Sequence, residues 1–277
     1  MGASDPEWIA PVTLDEALTV RGERGDEATV LAGGTFLVIL MNQHLIAPEA
    51  LLSLSAVRGI DYIGEVEGEL RLGAMARHRD IERSAVVREG WPVLAHAFSL
   101  VASPRVRNQA TVGGVLADAD YASDPPAVLA ALGARAVLRS RRGTRTVAIG
   151  ELILGFYETC IEPDELLVEV RVPPCPVRAV YRKFRSRSRE DRPCVAVAAA
   201  RGDDGLRVVV GAVCDRPREL PDALALAGAG APGPNETAEI ARRYAREIDP
   251  LDDARGSSAY RRRIIEVEVR RALEALA

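Results

Sequence analysis

Arg107-Asn108-Gln109-Ala110-Thr111-Val112-Gly113-Gly114 is the stretch on which the reading of this chain turns, together with a shorter relative at Leu31-Ala32-Gly33-Gly34-Thr35. Each places a glycine pair after an apolar stretch with a hydroxyl residue beside it. A residue without Cβ admits positive φ and lets the backbone come close to a phosphate, several amides can then converge on one anion, and a following helix adds its positive end. A lone glycine pair usually makes only a turn. Two of them suit the pyrophosphate of a dinucleotide better than a single phosphate.

Working outward from the first pair, residues 29–32 read as a buried strand running into Gly33, and an apolar segment to Met41 reads as helical. Upstream, Thr13-Leu14-Asp15-Glu16 has the capping-box form and starts a short helix whose apolar stripe is Leu14, Ala17 and Leu18. Between the two pairs the pattern changes to short strands at 62–66 and 69–72 around Gly68, then to one helical stretch from Ile81 to Val101. After the second pair come a helix from Pro126 to Ala131, a strand at 136–139, a polar turn at Arg141-Arg142-Gly143 and a returning strand at 146–149.

Pro173, Pro174 and Pro176 resist helix and central strand alike and set a boundary near residue 175. Beyond it the pattern predicts strands at 194–200 and 206–214. A final helix spans 258–277, where Ile265, Val269, Ala272, Leu273 and Leu276 recur at helical spacing. The expected units are therefore 1–55, 56–175 and 176–277. Gly228-Ala229-Gly230-Ala231-Pro232-Gly233 satisfies the letters of the G-x-G-x-x-G dinucleotide fingerprint but lacks a preceding strand. Pro232 and Pro234 stand where its helix should begin, so a surface loop is expected there.

The 277 residues include 36 basic and 40 acidic side chains, a formal charge of −4, and 48% hydrophobic residues, which is a globular composition and not a nucleic-acid-binding or disordered one. Cys160, Cys175, Cys194 and Cys214 lie 15, 19 and 20 residues apart. No pair has the short spacing that zinc or an iron–sulfur cluster requires, and His44, His78 and His96 are equally scattered. Residues 1–8 carry Asp5 and Glu7 without an apolar core, and no apolar run approaches the roughly 18 residues of a membrane span, so a cytoplasmic location is expected. The run from Arg182 to Arg189 is the most basic in the chain; a solvated face, a cofactor contact and a subunit interface compete for it.

The second glycine motif, continuing through Ala117-Asp118-Ala119-Asp120 to Asp124-Pro125-Pro126, resembles the second flavin motif of the FAD-binding medium subunits of molybdenum hydroxylases, the xanthine dehydrogenase and aerobic carbon monoxide dehydrogenase group. Ala32-Gly33-Gly34-Thr35 is similar to that family's first motif. The likeness extends over nearly the whole chain, through residues 13–18, Gly155 to Pro173 with Glu165-Leu166-Leu167, the set Tyr181, Lys183, Arg187 and Asp191, and Arg255 to Arg263.

The resemblance implies an α+β fold: a two-subdomain FAD-binding domain of the vanillyl-alcohol-oxidase/PCMH type, then a carboxy-terminal α+β domain with a three-stranded antiparallel sheet. It implies FAD held by Leu31, Ala32, Gly33, Gly34, Thr35, Phe36, Asn108, Ala110, Thr111, Gly113, Gly114, Asp120, Asp124, Leu167 and Lys183. Asp124 has a competing role as the cap of the helix that follows it. The implied work is electron transfer without a catalytic side chain of its own. Electrons come from two-iron, two-sulfur clusters on a small partner, beside a molybdopterin-containing large subunit, in a heterotrimer that is doubled.

A free-standing FAD-dependent oxidoreductase and a cofactor-free scaffold are the rival readings. Phe36 stands where the family usually has a small polar or acidic residue, Asp118 where histidine is common, and Tyr121 where proline is common. Neither glycine motif contains His or Cys, so the FAD is expected to be noncovalent.

Overall fold

The structure is a computed structural model that describes residues 5–176, 178–188, 190–202, 205–228 and 230–277. Residues 1–4, Arg189 of the basic run and Ala229 of the glycine–proline loop lie outside the described residues.

The amino-terminal unit runs β1 (Glu7–Ile9), α1 (Leu14–Arg24), β2 (Ala28–Leu31), α2 (Leu37–Asn42) and β3 (Ala50–Ser53), with the strands parallel in the order β1-β3-β2. The capping box forms as its sequence requires. The Thr13 hydroxyl accepts the Glu16 amide at 3.2 Å, and the Glu16 carboxylate accepts the amides of Thr13 and Val12 at 3.2 and 2.8 Å. Strand β2 ends at the first glycine pair, where Gly34 takes φ +68°.

The middle unit comprises β4 (Ile63–Val66), β5 (Glu69–Gly73), α3 (His78–Arg83), α4 (Ala85–Gly90), α5 (Pro92–Ser99), α6 (Pro104–Arg107), α7 (Val112–Ala117), α8 (Pro125–Ala131), β6 (Arg135–Ser140), β7 (Gly143–Ala148), α9 (Ile149–Leu152), β8 (Ile153–Gly155), β9 (Glu158–Thr159) and β10 (Leu166–Val172). Its sheet is antiparallel in the order β4-β5-β10-β6-β7. The single helix expected over 81–101 is instead the series α3, α4 and α5. The Ser84 hydroxyl accepts the Val87 amide and restarts the chain as α4, and Pro92, with no amide proton to give, opens α5 at its first position.

The carboxy-terminal unit contains β11 (Arg178–Phe184), β12 (Val195–Gly202), β13 (Gly205–Gly211), β14 (Arg218–Glu219), α10 (Pro221–Leu224), α11 (Pro234–Glu247) and α12 (Ser258–Glu274). Strands β11, β12 and β13 make the expected three-stranded antiparallel sheet, and the two-residue β14 extends its edge. The expectation that prolines bar a helix at 232–234 is corrected. Pro234 occupies the first position of α11, where a missing amide costs nothing, yet a 3-10 turn over 225–227 and not a strand leads into the loop, so the fingerprint still has no strand–turn–helix context.

Every residue of α8 is buried, packed against α5, α7 and α9 of its own unit and against β12 and β13 of the next. Full burial of a side chain such as Leu129 or Val128 contributes about 1.5–3 kcal/mol. The backbone approach is close enough that a Cβ on Gly211 would lie 3.0 Å from that of Ala127. Tyr181, Ala196, Ala198 and Val209 join the same apolar cluster, so β11 is held against the middle unit and delivers its side chains to the site described next. Among the described residues no helix is long and apolar enough to cross a membrane.

Candidate flavin site

A cavity of about 520 Å³ opens where the two glycine motifs, β10 and the segment around β11 meet. That volume falls within the range of about 300–1,000 Å³ usual for small-molecule and cofactor sites. Ala32, Gly33, Gly34, Thr35 and Phe36 line it from the first motif, and Ala110, Thr111, Gly113 and Gly114 from the second. Asp120, Asp124, Leu167 and Lys183 complete the expected set on its wall. Leu31 and Asn108 are not in the lining: Leu31 closes β2, and Asn108 caps α6 with an exposed side chain.

The two turns touch through backbone. A Cβ on Gly33 would sit 2.1 Å from the Gln109 carbonyl oxygen, and one on Gly113 would sit 2.7 Å from the Cβ of Ala74. Only glycine permits these approaches. Their amides nevertheless have different employment.

In the second turn the Gly113 amide donates to the Ala74 carbonyl at 2.8 Å, the Val112 amide to Ala76 at 3.0 Å, and the Gly114 amide to the Thr111 hydroxyl at 3.1 Å. In the first turn the amides of Gly33, Gly34, Thr35 and Phe36 make no hydrogen bond among the described residues. A run of unspent donors beside a cavity is an anion cradle. The Thr111 hydroxyl, having accepted one proton, still has its own to donate. This distribution fits an anionic cofactor group at the first turn braced by the second.

At the β11 side, Lys183 Nζ donates at 2.8 Å to Asp124 Oδ2 and at 2.8 Å to the Leu100 carbonyl, and Tyr181 OH donates at 2.5 Å to Asp124 Oδ1. The Lys183 and Asp124 side chains are 1% and 4% exposed. Burial pushes the Asp124 carboxyl up, against the opposing pull of Lys183, and burial pushes the Tyr181 phenol well up. Both Asp124 oxygens are thus engaged within the protein. Asp124 stands at the N-cap of α8 without a side-chain cap bond; it anchors Lys183 instead. One ammonium proton of Lys183 remains for the cavity.

Phe36 does not leave the site open. Its ring stacks on Tyr157 with centroids 5.8 Å apart and planes 10° apart, and the Arg192 guanidinium lies 5.7 Å from the Phe36 centroid. Arg192 in turn pairs with Asp120 at 2.5 Å, so an aromatic and cationic stack joins the first motif, the β8–β9 turn and the segment before β12. Tyr121, the other aromatic departure, donates to Asp253 at 3.0 Å and reaches the carboxy-terminal unit.

His78 also lines the cavity; burial pushes its imidazole down to about 4, and Nε2 lies 3.2 Å from the Thr111 carbonyl, as a neutral ring donating to it requires. Arg192, Tyr157 and His78 carry no motif, and the sequence gives no local signal for their convergence.

Known proteins resemble this chain over its length. The family described as the FAD binding domain in molybdopterin dehydrogenase matches residues 3–175, and the carbon monoxide dehydrogenase flavoprotein C-terminal domain matches residues 179–276. The carbon monoxide dehydrogenase medium chain of Afipia carboxidovorans is 30% identical over 292 residues, covering 97% of this chain and 95% of its own. The alpha subunit of the 6-hydroxypseudooxynicotine dehydrogenase complex of Paenarthrobacter nicotinovorans is 29% identical over 277 residues, with 96% and 93% covered. The structure of carbon monoxide dehydrogenase from Hydrogenophaga pseudoflava superposes with a TM-score of 0.94 at 30% identity, over 100% of this chain and 98% of that one.

Proposed function

This chain belongs to the FAD-binding family of molybdopterin dehydrogenases, and from that premise we propose that the cavity between its two glycine turns is where FAD sits while electrons pass through it. The chain is an FAD-binding medium subunit of the molybdenum hydroxylase type and an oxidoreductase component. The observation that carries the site assignment is the run of unspent amides from Gly33 to Phe36, residues that line the cavity.

In this reading those amides and the Thr111 hydroxyl hold the pyrophosphate, while Gly113 and Gly114 shape the second turn that supports them. Leu167 gives an apolar wall that keeps water from the bound ring system. Asp124 and Tyr181 fix the Lys183 ammonium in position, and Asp120 fixes Arg192 over Phe36. Bound FAD supplies electron exchange in steps of one or two; the protein supplies binding, orientation and electrostatic setting.

The same proposal includes partners. Relatives named as medium chains and as a complex subunit support assembly with a molybdopterin-containing large subunit and a small subunit with two-iron, two-sulfur clusters, as a heterotrimer that is doubled. Four unpaired cysteines suit a reducing, cytoplasmic setting. We also divide the chain into units 1–55, 56–175 and 176–277, supported by three apolar clusters centred one on each unit, although Tyr181, Ala196, Ala198, Val209 and Ala212 of the third pack into the second's cluster, and Val57, Ile60, Val137, Leu166 and Val168 of the second into the first's.

Co-expression with adjacent genes for such subunits, followed by size exclusion and rapid mixing with a reductant of the iron–sulfur subunit, tests the assignment. Co-elution with bleaching of the flavin absorption is expected. A chain that never co-elutes yet oxidises a substrate alone would replace this reading with a free-standing flavoenzyme.

A further inference from the structure

Asp118 ends α7 on the wall of the cavity, and among the described residues its carboxyl has no hydrogen bond or ion pair. Its neighbour in the same turn is placed differently. Asp120 pairs with Arg192 at 2.5 Å and accepts the Ala122 amide at 3.1 Å, so the nearby cation is already committed. Ala119 between them takes φ +45° and buries its own methyl, which fixes the turn that presents the two carboxyls.

Other titratable groups near this turn include Tyr157, whose amide donates to the Ala119 carbonyl at 3.2 Å, and Tyr121, over whose ring the Arg255 guanidinium lies; Glu190 lines the cavity from the segment carrying Arg192. Burial and the Asp120 charge push the Asp118 carboxyl up to about 7, with Arg192 opposing.

We propose that protonation of Asp118 is coupled to FAD occupancy: the loaded cavity contains the neutral acid, and ionisation of Asp118 weakens its hold on the cofactor. The inference rests on the cavity being the FAD site. A dinucleotide entering beside this carboxyl brings negative phosphate charge and displaces water, and both effects favour the uncharged form. Linkage then requires that binding take up a proton wherever the empty site is ionised and the loaded site is not. Each unit by which FAD raises the carboxyl's pKa makes a tenfold difference in affinity between its two forms.

The test is equilibrium binding of FAD to the cofactor-stripped full-length chain, read by flavin fluorescence from about pH 6 to about pH 9. Binding to the wild type is expected to weaken about tenfold across that range, and binding to Asp118→Asn to stay at its low-pH strength. Calorimetry of the wild type in two buffers of different ionisation enthalpy should show net proton uptake on binding near pH 8, a readout that survives if the variant does not fold.

A flat wild-type profile, absence of proton uptake, or an unchanged pH dependence in Asp118→Asn would overturn the inference while leaving the FAD site standing. Failure of both proteins to bind FAD at any pH would overturn the site assignment and the inference together.

Discussion

Replacing Lys183 with Met keeps the length of the side chain and removes the ammonium that compensates Asp124. The carboxyl is 4% exposed, its Oδ2 partner is gone, and the Leu100 carbonyl loses its donor at 2.8 Å. Removing one partner of a buried pair usually costs about 3–5 kcal/mol. Here protonation of Asp124 sets a ceiling. A carboxyl with an unfolded pKa near 3.9 can be neutralised at pH 7 for at most about 4 kcal/mol, and at pH 5 for at most about 1.5 kcal/mol.

The sign follows from the direction already present. Burial raises this carboxyl, and deleting Lys183 removes the largest opposing pull, so the folded variant binds a proton that the unfolded chain does not. Stability of the variant relative to the wild type therefore falls as pH rises from about 4 through neutrality. Urea unfolding of Lys183→Met at both pH values, beside Lys183→Met/Asp124→Asn, measures this. The expected result is a deficit of several kcal/mol at pH 7 that shrinks at pH 5 and is largely restored in the double variant. A deficit below about 1 kcal/mol at pH 7, or one indifferent to both pH and Asp124, would refute the account of this pair.

Substituting Gly33 with Ala should lower FAD affinity by about 10- to 100-fold, because its Cβ meets the Gln109 carbonyl at 2.1 Å and overpacking of that kind costs about 1–3 kcal/mol. Gly34→Val and Gly114→Val should also lose flavin, the first against φ +68° and the second against Thr111 Oγ1 at 2.9 Å, while the carboxy-terminal unit stays folded; full flavin content in all three would contradict the two-turn site.

Burial holds His78 neutral down to about 4, whereas the unfolded ring takes a proton near 6.5. Stability should therefore decline by about 3 kcal/mol as pH falls through that window, and the decline should flatten in His78→Gln. Thermal melts across that pH range read the slope directly.

What the sequence made legible was local. Thr13 and Glu16 cap each other within one turn, and Gly33-Gly34 and Gly113-Gly114 mark backbone that must pass close to something. Ser84 and Pro92, which divide the expected long helix, were visible as residues, but the apolar periodicity running across them masked their effect. The unequal work of the two glycine turns was not visible, because the carbonyls of Ala74 and Ala76 that occupy the second turn arrive from a remote segment. For the same reason Asp124 looked like a helix cap or a cofactor ligand until Tyr181 and Lys183 of β11 took both of its oxygens. The Phe36–Tyr157–Arg192 stack is likewise tertiary, joining three segments far apart in the chain.

The central claim is that this cavity holds one noncovalent FAD per chain. It is tested most directly by quantifying the flavin of the purified protein before and after acid precipitation, with Gly33→Ala alongside. The account predicts one FAD per chain, released wholly into the supernatant, and marked depletion in the variant. A wild type that binds no FAD when equilibrated with it, or yellow colour that stays with the precipitate, would contradict it.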